Sequence, residues 1–97
     1  LVKAKALELN HNEYHVKYSG EEISLTASEF DLLEYLVKKA GQIISREELT
    51  QQILGRPLNL NDRSIDVHIS NLRKKLSRTG ACKIKAIRGV GYTLLLT

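Results

Sequence analysis

"NDRSIDVHISNLRKKL", residues 61–76, places apolar side chains at Ile65, Ile69, Leu72 and Leu76. At about 100° of rotation per residue these four fall within roughly 60° of one another, which predicts a helix with one face laid on a core. Nearly opposite lie Arg63, Val67, Ser70, Asn71 and Lys74, with Asp66 and Arg73 on the flank. A face that only meets water would be richer in Glu and Lys paired four residues apart. Cation, amide, hydroxyl and one branched apolar group side by side point instead to a partner.

The charge around this helix says what kind of partner. The chain carries a net +4, but residues 1–66 hold eight basic and eleven acidic side chains. Residues 67–97 hold seven basic ones (Arg73, Lys74, Lys75, Arg78, Lys83, Lys85 and Arg88) and no Asp or Glu. An acid-free basic third fits a polyanion, because each phosphate neutralised releases condensed counterions.

Upstream of the helix, "TASE" at 26–29 is a capping box, with the Thr26 hydroxyl accepting from the Glu29 amide and the Glu29 carboxylate reaching back. A first helix follows, with Phe30, Leu33, Leu36, Val37 and Ala40 at helical spacing and Gly41 as its stop. "SREE" at 45–48 repeats the device and opens a shorter helix through Leu49, Ile53 and Leu54, ended by Gly55. After the loop "GRPLNL", Asn61 or Asp62 caps the third helix. Residues 2–25 alternate apolar and polar in three short runs separated by Asn-His-Asn and Ser-Gly-Glu, which predicts a small antiparallel meander. Downstream, "KIKAIRGVGYTLLLT" is two extended runs around Gly89-Val90-Gly91, a terminal hairpin in which both glycines permit the turn.

Ninety-seven residues, 42% apolar and 27% charged, make one domain with a modest core, and no apolar run approaches the about 20 residues needed to span a bilayer. The single cysteine, Cys82, forms no internal disulfide and fits a reducing, cytoplasmic setting. The chain begins at Leu1 without a signal-like segment and is expected to be part of a longer protein. The expected fold is α+β: a winged helix-turn-helix spanning 1–97, with an N-terminal antiparallel sheet (1–25), three helices (26–76) and a C-terminal β-hairpin wing (83–97). The basic third then falls on the third helix and the hairpin, the two elements that meet nucleic acid in that arrangement.

Three blocks, "LTASEFDLLEYLVKKAGQIISREEL", "DRSIDVHISNLRKKL" and "IRGVGYTL", resemble the signatures of the DNA-binding effector domain of OmpR/PhoB-type response regulators across essentially the whole chain. The resemblance implies a four-stranded N-terminal sheet and a recognition helix from Asp62 to Leu76. It also implies a transcription factor whose phosphorylation, by a cognate sensor kinase acting on an upstream receiver domain absent from this chain, promotes dimerisation on direct-repeat half-sites of double-stranded DNA. Positions matching the DNA-facing residues are Arg63, Ser64, Asp66, Val67, Ser70, Asn71, Arg73 and Lys74. Arg63, Arg73 and Lys74 suit phosphates or guanine edges, Asn71 an adenine edge or phosphate, and Val67 a thymine methyl. Ser70 and Asn71 stand where some relatives have consecutive arginines, so base preference does not carry over. The wing's "RGVGY" matches the family pattern and makes Arg88, with Gly89, the minor-groove element. Members of the family meet RNA polymerase through the loop that is Gly55, Arg56, Pro57, Leu58, Asn59 and Leu60 here.

Other classes fit less well. His11 and His15 are four apart, but in a turn and a strand without a third ligand, so no metal is expected. His68 on the stripe's flank reads as packed, and "GVG" lacks the strand-to-helix setting of a phosphate loop. No nucleophile, base and acid set is legible, so neither catalysis nor a cofactor is expected. The remaining alternative is a basic module binding RNA or a protein. With aromatics at 5%, and most of Tyr14, Tyr18, Phe30, Tyr35 and Tyr92 at core spacing, few are free to stack on exposed bases.

Overall fold

In a computed structural model, the structure describes residues 2–4, 7–77, 80 and 82–96. Leu1, Lys5, Ala6, Arg78, Thr79, Ala81 and Thr97, which belong to the expected sheet, basic segment and wing, lie outside the described residues. Four strands open the chain as an antiparallel sheet in sequence order: β1 (Val2–Ala4), β2 (Leu7–Asn10), β3 (His15–Tyr18) and β4 (Glu21–Ile23). Leu9 faces Val16 in this register and both are buried, so the alternation seen in the sequence becomes one apolar face turned to the core.

Helix α1 (Ala27–Lys38) starts at the expected capping box: the Glu29 amide donates to Thr26 Oγ1 at 3.2 Å and the Thr26 amide to Glu29 Oε1 at 3.0 Å. The second box is only half formed. Ser45 accepts from the Glu48 amide at 3.0 Å, but the Glu48 carboxylate turns away to the Tyr35 hydroxyl and to Lys39 Nζ. The short helix α2 (Arg46–Leu49) therefore has one reciprocal bond fewer than α1. It widens into a π-helical turn at Thr50–Leu54, where the buried Thr50 hydroxyl donates to the Arg46 carbonyl at 2.7 Å, inside the backbone ladder. Gly55, at φ +70°, ends the turn.

Helix α3 runs Ser64–Leu76, two residues shorter at its start than the expected 62–76. Arg63 is the N-cap residue and its side chain makes no cap bond; Asp62 lies one position outside and accepts from the Ser64 amide at 3.0 Å. The Asp side chain thus closes a turn before the helix rather than capping it. The apolar stripe is where periodicity puts it, with Ile65, Ile69, Leu72 and Leu76 all buried against α1 and the sheets.

Strands β6 (Cys82–Ile87) and β7 (Gly91–Leu96) form the hairpin, and β7 also pairs with β5 (Ile44–Ser45) between α1 and α2, giving a three-stranded sheet of order β5-β7-β6. β5 is too short to show any alternation, so the sequence reading missed it. It explains Gly91. Only Gly89 needs a turn-type backbone, at φ +77°, whereas a Cβ on Gly91 would sit 1.9 Å from the Ile44 carbonyl oxygen. The second wing glycine therefore serves the close approach of β5 to β7, not the turn.

Candidate nucleic-acid interface

Because α3 buries its stripe, its opposite face stands clear of the protein. Val67 is 54% exposed, the Arg63 side chain is 77% exposed, and Ser70, Asn71 and Lys74 are exposed beside them. Arg73 is also exposed, yet its Nε donates to the Ile84 carbonyl at 3.0 Å and fastens α3 to β6. The wing turn presents Arg88, Gly89 and Val90 to solvent, and the Val90 amide closes it onto the Ile87 carbonyl at 2.9 Å. Between helix and wing lies an open cleft of about 720 Å³ lined by Arg63, Ala86, Arg88, Val90 and Tyr92 and by Leu58 of the loop.

Two of the residues expected on the outer face are engaged within the protein. Asp66 receives Arg46 bidentately, Nε to Oδ1 at 3.2 Å and Nη2 to Oδ2 at 2.7 Å, and the Tyr92 hydroxyl donates to Oδ1 at 2.5 Å. Burial pushes the Asp66 pKa up, but the Arg46 and Tyr92 hydrogen bonds outweigh it and hold the group below the usual carboxylate range. Burial, together with the same Asp66 contact, pushes the Tyr92 phenol up to about 12. Asp66 sits on the flank of the stripe, as helical phase expects, and is held there by Arg46 of α2 and Tyr92 of the last strand, so its carboxylate turns inward and not to the outer face where the resemblance put it. The Ser64 hydroxyl accepts from Arg56 Nη2 at 3.0 Å, and that guanidinium also pairs with Asp62 at 3.1 Å. Ser64 and Arg56 thus brace the start of α3.

Arg56 was the only charge of the loop at 55–60, and it folds back rather than reaching outward. The loop's protruding group is Leu60, 98% exposed. Arg46 was not singled out in the sequence. A signal existed: a cation in the first turn of a helix opposes the helix dipole and calls for a carboxylate partner. Glu29 shows a parallel case, since its buried carboxylate accepts from Lys75 Nζ at 2.6 Å and ties the end of α3 to the start of α1.

The histidines do not converge. His11 pairs with Glu34 at 2.9 Å and His15 with Glu22 at 3.1 Å, and no group of three His, Cys, Asp or Glu that could hold a metal occurs among the described residues. His68 is half-buried beside the stripe, and Tyr14, one of the five aromatics of which most were expected at core positions, is 43% exposed and stacks on Phe30. No helix among the described residues is long and apolar enough to cross a membrane.

A helical core whose third helix stands free beside a basic hairpin defines the winged helix-turn-helix class. Residues 20–94 match the family model described as "Transcriptional regulatory protein, C terminal", and the chain belongs to this OmpR/PhoB-type family. It is 42% identical over 96 residues to the transcriptional regulatory protein CpxR of Klebsiella pneumoniae and to CpxR of Escherichia coli K12, covering 97% of this chain and 41% of theirs. The chain therefore spans about two fifths of the length of these relatives. Among solved structures, the DNA-binding domain of E. coli CpxR superposes with a TM-score of 0.89 at 39% identity, covering 98% of this chain and 95% of that one. The RstA DNA-binding domain of K. pneumoniae, solved in complex with the RstA box, superposes at 0.87 with 34% identity, covering 97% and 95%.

Proposed function

We propose that this chain is the DNA-binding effector domain of a two-component response regulator, binding double-stranded DNA sequence-specifically to regulate transcription and carrying no catalysis of its own. α3 enters the major groove, with Asn71 at an adenine edge, Val67 at a thymine methyl, and Arg63, Ser70, Arg73 and Lys74 on bases or phosphates. Arg88 reaches the neighbouring minor groove from the turn that Gly89 permits. One observation carries this assignment: Lys74, Lys83, Lys85 and Arg88 are exposed and have no carboxylate partner among the described residues, and Arg88 of the wing lines one cleft with Arg63 of the recognition helix's start. Uncompensated cations on the helix and the wing, with exposed Asn71 and Val67 on the same helix as Lys74, suit a polyanion with sequence. The likeness to a relative solved with its own DNA box supports it.

In the whole protein an upstream receiver domain, phosphorylated by a sensor kinase in the cytoplasm, promotes dimerisation on direct-repeat half-sites. The loop Gly55–Leu60 meets RNA polymerase through Leu60, because Arg56 is committed to Asp62 and Ser64. The test is selection of this domain on a pool of random duplexes at two salt concentrations, with the bound fraction sequenced. A short motif repeated at about one helical turn is the expected result. Salt-sensitive retention without a motif would overturn sequence specificity, and no retention would overturn DNA as the partner.

A further inference from the structure

The cleft between α3 and the wing is open, so packed side chains do not set their spacing at the end that faces outward. Three polar side chains span the gap beneath it instead. Asp66 projects from the first turn of α3, Arg46 from the first residue of α2, and Tyr92 from β7. The Arg46 fork makes two N–H···O bonds to the carboxylate, a geometry that fixes orientation as well as distance. Arg46 reaches further in both directions. Its Nη2 donates to the Asp62 carbonyl just before α3 at 2.9 Å, and its backbone N–H donates to the Val90 carbonyl in the wing turn at 3.3 Å. One residue therefore touches both the entry to the recognition helix and the tip of the wing.

We infer that Arg46, Asp66 and Tyr92 are positioning residues for DNA recognition: the Asp66 carboxylate holds α3 and the β6–β7 wing at one mutual spacing, so that major-groove and minor-groove contacts form together. The inference rests on the DNA-binding role proposed above. None of the three needs to touch DNA. Arg46, Asp66 and Tyr92 are all half-buried, and the carboxylate oxygens already accept three hydrogen bonds. The site works only if two elements separated by an open cleft arrive in register, and a supporting shell loose by about 1 Å is enough to lose such a site. The hydrogen bond from Arg73 to the Ile84 carbonyl, a second polar tie between α3 and the hairpin, lies nearly two turns further along α3, where the apolar stripe also packs, and leaves the outer end to this cluster.

The deciding variant is Tyr92→Phe, which keeps the ring and removes the hydroxyl from Asp66. In the unaltered domain, Arg88→Ala is expected to weaken the selected duplex about tenfold, the loss of one well-placed contact. In the Tyr92→Phe background the same change should cost under about threefold, because the wing no longer arrives with the helix. Equal losses in the two backgrounds would overturn the inference. A second measurement needs no DNA: backbone amide order parameters at Gly89 and Val90 should fall in Tyr92→Phe while those in the middle of α1 stay unchanged. Unchanged order at the wing would overturn the inference even if duplex binding stands. Ordered wild-type wing amides that loosen in the variant, with no duplex bound by either, would leave the coupling of helix and wing intact and overturn DNA as its purpose. Arg46→Lys, which keeps the charge but loses the fork, should show the same partial uncoupling; full retention of coupling in that variant would also count against the role.

Discussion

The two sheets of the molecule are built by the same rule and handle charge in opposite ways. In the N-terminal sheet, Glu8 faces Lys17 and Lys17 faces Glu22 across neighbouring strands, and His15 pairs with Glu22 at 3.1 Å. In the wing sheet, Lys83 faces Leu95 and Lys85 faces Thr93, with no acid opposite either lysine. Both sheets bury an apolar face, Leu7, Leu9 and Val16 in one and Ile84 and Leu94 in the other. The shared alternation makes the fold, and the charge facing outward separates a support from a surface with work left to do.

The largest expected effect tests the core that both sheets share. Leu72 is fully buried between α1 and the hairpin side, and Leu72→Ala should destabilise the domain by about 2–5 kcal/mol in urea unfolding. A change under about 0.5 kcal/mol would break the comparison at its root, because the stripe would not be the common floor.

Asn71→Ala comes next and sharpens the contrast on the reading face. It should cost about 1–3 kcal/mol at a single base position of the selected motif, with little effect elsewhere in the site. A uniform loss over all duplexes would move Asn71 to the phosphate set.

Acid should remove stability through the carboxylates held inside the fold. Burial pushes Glu29 and Asp66 up, but Lys75 and Thr26 for the one, and Arg46 and Tyr92 for the other, bring both below their ordinary values. Their stabilisation is present above the unfolded-state values of about 4 and is lost as pH falls through the lower folded values. The urea midpoint should therefore fall between neutral pH and about pH 3, and Glu29→Gln with Asp66→Asn should flatten that fall. An unchanged slope in the double variant would assign the acid loss to other groups.

The smallest effect is the most direct on the two sheets. Lys74→Ala should weaken all duplexes alike and lower the salt slope by about one unit, whereas Lys17→Ala on the N-terminal sheet should leave the slope unchanged. Equal changes from both would mean that total charge, not its placement, governs binding.

Much of this was legible in the residues. The stripe of α3, the capping box of α1 and the turn at Gly89 are local or periodic features, and each appears where spacing put it. The half-open second box was not legible, because Tyr35 and Lys39 on α1 compete for Glu48 only once the helices are packed. Nor was Gly91, whose constraint comes from a two-residue strand passing 1.9 Å from where its Cβ would be.

The sequence by itself determined the succession of sheet, three helices and hairpin, the buried stripe and the acid-free basic third, though not the two-residue β5, since periodicity and charge are properties of neighbours along the chain. Only the tertiary structure decided which polar groups face outward. Asp66 meets Arg46 across 20 positions and Tyr92 across 26, and Arg56 turns back onto Ser64. Helical phase places a side chain on a flank but not against a partner, and a flank becomes inside or outside only when another element packs beside it.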